Sequence, residues 1–365
     1  MIGASTSPAP PAQPVQPARS VAVRADSRRR DRNWVLALFV LLVVEVLYFS
    51  ITVSGFFGNG SGLLSLSEQF LDVGAIALGE AVVILAGEID LSAGTMSSLS
   101  GIVMAVLWQQ QHIEIWLAVV FALLLSAAIG AFNGLIITLF KVDSLLVTLA
   151  TQFILGAVAT AVSGSSPPFG FPKSFVSIAG TGTVGPIPDQ LIVFAVLSVG
   201  VALGVSRTRM GRSVALIGFN RPAARYSGIR VERTVIGAFV FSAVMAGISG
   251  ILVSGLYNAA RDSIGNSLLL PAITVVVLGG VDIFGGRGRI GGVIVATFVL
   301  GFLTQGLLVA GDSSLSATMV TGILLLVCLV VKIGIDRRAG MDFQKVFRQR
   351  MARMASLGQR GTAPQ

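Results

Sequence analysis

From Trp34 to Ile335 the chain is apolar over run after run, and the interruptions are short clusters of arginine or glycine. A helix needs about 20 apolar residues to cross a hydrocarbon core about 30 Å thick. Ten runs qualify, some barely: 34–54, 70–87, 89–108, 115–138, 144–163, 190–206, 234–257, 268–285, 290–311 and 315–334. The chain therefore reads as an all-α integral membrane protein, a polytopic bundle of about ten transmembrane helices with lipid as its solvent. Composition agrees, because only 12% of residues are charged against roughly 25% in a soluble domain. The single cysteine, Cys328, and single histidine, His112, exclude a disulfide framework and leave no metal cluster or histidine-dependent catalytic triad. No metal and no cofactor are expected, and the chain is not expected to be an enzyme.

A net charge of +9 would raise nucleic-acid binding in a soluble protein. Here the location of the charge decides against it. Six basic residues lie in 1–33, eight in 332–365 and seven in 207–233, which leaves five for the rest of the chain. Clustering between long apolar runs is what the positive-inside rule produces. Alternation from a cytoplasmic Arg28-Arg29-Arg30 puts Lys141, the 207–233 arginines, Arg287, Arg289, Arg337 and Arg338 inside, and only Lys173 and Arg261 outside. Ten spans with both termini cytoplasmic preserve this agreement, and the location expected is a bacterial inner membrane. Residues 1–33 read as a disordered basic tail, 34–335 as the membrane domain with a cytoplasmic loop at 207–233, and 336–365 as a second basic tail. No apolar run precedes Trp34, so a cleavable signal peptide is not expected.

The second and third runs meet at Gly87-Glu88-Ile89-Asp90 with no room for a polar loop. Such a junction is a candidate break within the membrane, tolerated only where protein or a wet cavity surrounds it. Gly130-Ala131-Phe132-Asn133-Gly134 has the spacing that lets two helix backbones approach closely. The proline- and glycine-rich stretch 164–189 reads as an external loop.

An ionisable group at the bilayer centre costs at least about 2.5–3.5 kcal/mol and needs a partner or water. Glu45, Glu80, Glu88 and Asp90 are such groups. Glu45 fits an interhelix hydrogen bond and a transport role equally. The densest polar stretch packs Glu88, Asp90, Ser92, Thr95, Ser97, Ser98 and Ser100 between apolar runs. Many hydroxyls and carboxylates in one place suit a dehydrated polyol, whose own hydroxyls each need a partner. The same residues also suit a helix start capped by Asp90 or Ser92. The candidate substrate pathway is Glu80, Glu88, Asp90, Ser92, Thr95 and Ser97.

Three stretches together resemble one family. GEIDLSAG at 87–94, RSVALIGFNRPAARYSGIR at 212–230 and GGVDIFGGRGRIGG at 279–292 are similar to motifs of the permease subunits of bacterial ABC monosaccharide importers, the ribose, xylose and galactose type. The resemblance spans about residues 35–335. Glu88 replaces a commoner glycine, Phe219 stands where a small residue is usual, and Pro222 enters the cytoplasmic motif. It implies a permease that works with an ABC ATP-binding subunit, a second permease copy or paralogue, and a periplasmic sugar-binding protein. It also implies that the 212–230 motif couples to the ATPase through Asn220, Ala223, Ala224, Ser227 and Gly228. Pro222 to Ser227 then forms a short helix stopped by Gly228, with Ala223 and Ala224 offering a flat face to a groove.

An ion-coupled secondary carrier using Glu45, Glu80 or Asp90 is the competing expectation, and it leaves the 212–230 motif without a role. Gly286 to Gly291 satisfies G-x-G-x-x-G but has no βαβ context, and no G-x-x-x-x-G-K-[ST] occurs in the sequence. ATP hydrolysis is therefore expected on another polypeptide. Gly279-Gly280-Val281-Asp282-Ile283 echoes Gly87-Glu88-Ile89-Asp90-Leu91, and the topology gives the two copies parallel orientation.

Overall fold

A computed structural model describes residues 17–54, 56, 62–164 and 167–338. Its helices are α1 (Pro17–Thr52), α2 (Gly62–Ser67), α3 (Leu71–Leu85), α4 (Ala93–Gln109), α5 (Ile115–Phe140), α6 (Ser144–Ser163) and α7 (Lys173–Val176). There follow α8 (Asp189–Arg207), α9 (Arg209–Phe219), α10 (Arg221–Tyr226), α11 (Val231–Tyr257), α12 (Ile264–Leu278), α13 (Ile290–Val309) and α14 (Ser314–Arg338). Each of the ten expected spans overlaps one long helix: α1, α3, α4, α5, α6, α8, α11, α12, α13 or α14. Six of these are long and apolar enough to cross a membrane unaided.

The short ones form the centre. α3 and α12 have 15 residues each, about 22 Å of helix at ~1.5 Å per residue. Every residue of α3 except Val73 is buried, and α11 packs against α3, α4 and α5. α5, α6 and α8 instead expose Leu, Phe and Val side chains such as Phe132, Leu146, Phe153 and Val196. That arrangement follows from lipid as solvent, since a helix that stops short leaves backbone groups that only protein can satisfy.

Helix ends sort into two layers. One holds the α3–α4 break, the α5–α6 turn, α9 with α10, and the α12–α13 connection. Gly286 N–H donates to the Leu85 carbonyl at 2.9 Å, and Trp34 Nε1 donates to the Leu278 carbonyl at 2.8 Å. The other layer holds 167–189 and 258–263, where Ala260 N–H donates to the Pro168 carbonyl at 3.0 Å. The stretch expected as a loop is folded there: α7 runs into a π-helical turn at Ser177–Thr181 and a hairpin pairing Thr183–Val184 with Ile187–Pro188. Phe171 and Phe175 anchor it against Trp108 and Trp116.

The G-x-x-D echo at 87–90 and 279–282 accompanies a similar, though not identical, local geometry. α3 and α12 pack together and both end in the first layer. Each is closed by a left-handed glycine, Gly87 at φ 79° and Gly280 at φ 85°, the two standing one position out of register in the echo. In each, an aspartate accepts from the backbone two residues on, Asp90 from Ser92 at 3.0 Å and Asp282 from Phe284 at 3.0 Å.

One boundary moves. α1 begins at Pro17, so 17–33 is helical where a disordered tail is expected. Alanine and arginine are good helix formers, and extending an existing helix costs far less than nucleating one. The remaining tail residues, 1–16 and 339–365, lie outside the described residues.

Gly130 and Gly134 both face α11. A Cβ on Gly134 would sit 2.7 Å from Ile236 Cα. Gly134→Val should therefore destabilise the detergent-solubilised protein by about 1–3 kcal/mol, read as a lowered thermal unfolding temperature. Gly200→Ala on α8, where a Cβ meets open space, should not lower it.

Candidate functional site

The polar stretch centres on the break between α3 and α4. α3 closes with Gly87 N–H donating to the Ile84 carbonyl at 2.8 Å, and the chain then runs non-helically from Glu88 to Asp90 before turning into α4. Its free backbone donors find side chains on α6. Ile89 N–H donates to Ser144 Oγ at 3.2 Å, and Leu91 N–H to Thr148 Oγ1 at 3.1 Å. Ser144, Thr148 and Thr151 lie at i, i+4 and i+7, one face of a helix.

Asp90, 1% exposed, accepts from both Ser92 N–H and Ser92 Oγ, the latter at 2.5 Å. Asn133 Nδ2 of α5 donates to Ser92 Oγ at 3.1 Å, and Thr151 Oγ1 donates to Asn133 Oδ1 at 2.7 Å. Glu80 of α3 and Ser242 of α11 lie beside Asp90. Both Glu80 carboxyl oxygens are fully buried with no hydrogen-bond partner among the described residues. Two carboxyl groups, three hydroxyls and an amide thus meet in one buried cluster.

The expected pathway residues divide. Glu80, Asp90 and Ser92 come together, and Thr95 stays on the first turn of α4, its Oγ1 donating to the Ser92 carbonyl at 3.0 Å. Ser97 does not join them. Its backbone abuts Gly250 of α11 and its Oγ lies 3.5 Å from Ser249 Oγ. Ser98 and Ser100 likewise bond to Gly265 and Gly247, so these hydroxyls hold α4 to α11 and α12. Glu45 sits on α1, which packs on α13, outside the cluster.

Glu88 turns the other way, to the basic end, where its Oε1 pairs with Arg221 Nη1 of α10 at 2.6 Å. α10 is capped as its sequence dictates. Asn220 Oδ1 accepts from Ala223 N–H at 3.0 Å, Pro222 lies in the first turn, and Ser227 Oγ donates to the Ala223 carbonyl at 2.9 Å before the left-handed Gly228. One expectation fails here. Ala224 is buried at 4% exposure and faces the protein, while Pro222, Ala223, Arg225 and Tyr226 face outward. A six-residue helix has only one side for its neighbours, and the sequence does not say which alanine occupies it.

Sequence reasoning missed Asn133, Thr148, Thr151, Ser242 and Arg221. The α6 stripe was detectable from its spacing. Asn133 stood inside the glycine motif read as packing alone.

Residues 62–329 match the family described as the branched-chain amino acid transport system / permease component. The chain belongs to this permease family. Over 307 residues it is 36% identical to the autoinducer 2 import system permease protein LsrD of Salmonella paratyphi A (strain ATCC 9150 / SARB42), covering 82% of this chain and 92% of that one. Over 304 residues it is 35% identical to LsrD of Escherichia coli O9:H4 (strain HS), covering 82% and 91%. The permease is thus a multi-pass inner-membrane transport component, and translocation rather than catalysis is its task.

The α6 hydroxyls give the permease a measurable signature. Replacing both by Ser144→Ala and Thr148→Val strips the Ile89 and Leu91 amides of their acceptors, each worth about 1 kcal/mol. Hydrogen–deuterium exchange at 89–91 should accelerate while exchange in the middle of α5 stays unchanged.

Proposed function

We propose that this chain is the transmembrane subunit of an ATP-binding-cassette importer that carries a monosaccharide or related polyol inward. It works with a second permease copy or paralogue, a separate ATPase and a periplasmic binding protein. The observation that carries this reading is the junction at the basic end. A short capped helix, outward-facing at Ala223 and Tyr226, is bonded directly to the break that holds Asp90. Tyr226 is 93% exposed, an aromatic ring among arginines that suits insertion into a partner's groove. Likeness to permeases of autoinducer 2 import favours autoinducer 2 as a second cargo reading. A gradient-driven carrier has no use for a docking helix at this end, and family membership favours the importer.

On this reading the basic end is cytoplasmic. Lys141, Arg287, Arg289 and the 207–233 arginines sit there, whereas Lys173 and Arg261 sit at the other. In a Cys328→Ser background, Thr183→Cys should label from outside intact cells and Asn220→Cys should not. The reverse pattern would overturn the orientation.

Cargo passes beside the α3–α4 break, with Glu80, Asp90, Ser92 and Thr95 as the polar groups it meets when the break opens. Asp90→Asn keeps shape and removes charge, so uptake should fall by roughly tenfold or more at normal membrane abundance. Uptake that persists makes Asp90 a structural cap only. Energy coupling has its own test. Tyr226→Ala and Ala223→Trp should each deplete the ATPase subunit from the purified complex and abolish ATP-driven uptake into proteoliposomes. Uptake driven by a proton gradient with no ATP and no ATPase would defeat the importer assignment.

A further inference from the structure

We infer that Glu88 and Arg221 form a strut through which α10 grips the α3–α4 break, so that movement of α10 is delivered to the residue next to Asp90. The inference rests on reading α10 as the ATPase-docking helix and adds the pair of side chains that passes the movement on.

The geometry favours a strut over an incidental surface pair. Glu88 is largely withdrawn from water, with 9% of its side chain exposed against 34% for Arg221. A contact with one buried partner escapes most of the screening that makes surface ion pairs weak. Arg221 also has a clear choice of acid. Glu232, at the start of α11, lies near it but is taken by Arg225. Among the described residues Arg221 pairs with Glu88, which is 133 residues away in the chain.

Both ends of the strut are stiff. On one side, Gly87 N–H is fixed to Ile84 and Ile89 N–H to Ser144 Oγ, so a pull on Glu88 cannot be absorbed by its neighbours. On the other, Arg221 opens a helix capped by Asn220, and Phe219 lies under the Arg287 guanidinium at 5.6 Å. The junction does not need the ion pair to hold together. Gly286 N–H already bonds to the Leu85 carbonyl, and Gly218 lets α9 lie flush against both. Removing one partner from a buried pair leaves an uncompensated charge, while an apolar pair serves packing equally well. What the charges add is a directed link between two rigid pieces. Glu88 and Arg221 are therefore positioning residues, acting on cargo only through Asp90.

The test uses the permease purified in complex with its ATPase and follows amide exchange at residues 86–92 with and without ATP plus vanadate. In the parent complex, nucleotide trapping should change that exchange. Glu88→Gln and Arg221→Gln should each shrink the change roughly tenfold with the ATPase still retained, and the double variant should be no worse than either single one. Exchanging the charges, Glu88→Arg with Arg221→Glu, should restore part of the response, which a packing role would not. If both single variants keep the full response, or if their losses multiply in the double variant, the strut is refuted. Should Glu88→Gln lower abundance, the exchanged pair decides alone: a folded complex with no nucleotide response refutes it. Failure of the docking reading looks different. There the parent complex itself gives no nucleotide response, or Tyr226→Ala leaves ATPase retention intact.

Discussion

A helix end packed inside a bundle must have its N–H and C=O groups satisfied by neighbouring protein, and this requirement organises the α3–α4 and α12–α13 junctions. An unbonded polar group in an apolar medium costs several kcal/mol, whereas a made hydrogen bond returns only about 1 kcal/mol net. Breaks therefore occur only where partners are prepared. At 86–92 the partners are Ser144 and Thr148 of α6 and the side chain of Asp90. At 279–289, Asp282 plays the matching part, and Gly286 completes the end of α3. The ends of α3 and α12, two helices of 15 residues each, thus support one another within the bundle.

Placing the breaks at the centre decides what surrounds them. α11 lies against α3, α4 and α5, and contacts this close require glycine or serine on the facing surfaces. Ser97 meets Gly250 backbone to backbone, and Ser100 bonds to Gly247. The hydroxyls of α4 thus do two jobs. Those beside the break join the Asp90 cluster, and those a turn or more further along fasten α4 to its neighbours.

Much of this was legible in the sequence, because lipid imposes a length rule that residue composition obeys directly. Each of the ten apolar runs overlaps a helix, although α3 and α12 have only 15 residues, and the junction expected at Gly87–Asp90 is non-helical. Side-chain direction was not legible. Ser92 and Ser97 look alike in sequence, but five positions on a helix turn through about 500°, and only packing tells which one faces α5 and which α11. Glu88 and Asp90 stand two residues apart, a spacing that regular extended backbone would put on one face. The non-helical conformation of the break, which sends them to opposite ends of the site, is a product of tertiary contacts with α6 and α10. Ala224 was misread for a related reason. The motif fixed a short helix and its caps, but its buried face is chosen by α9 and α11.

The irregular backbone of the break lets one short segment serve two environments. Had the helix continued from α3 into α4, Glu88 and Asp90 would lie about 200° apart on one cylinder, and both would move only with the whole helix. Broken, the segment carries Asp90 into a buried cluster with Glu80, Ser92, Asn133 and Thr151, while Glu88 reaches the charged surface at α10. A displacement at the surface then acts on a few residues of backbone instead of an entire packed helix. The hydrogen bonds that hold those residues are individually worth about 1 kcal/mol, so the segment is fixed by the sum of several weak contacts rather than by any one of them.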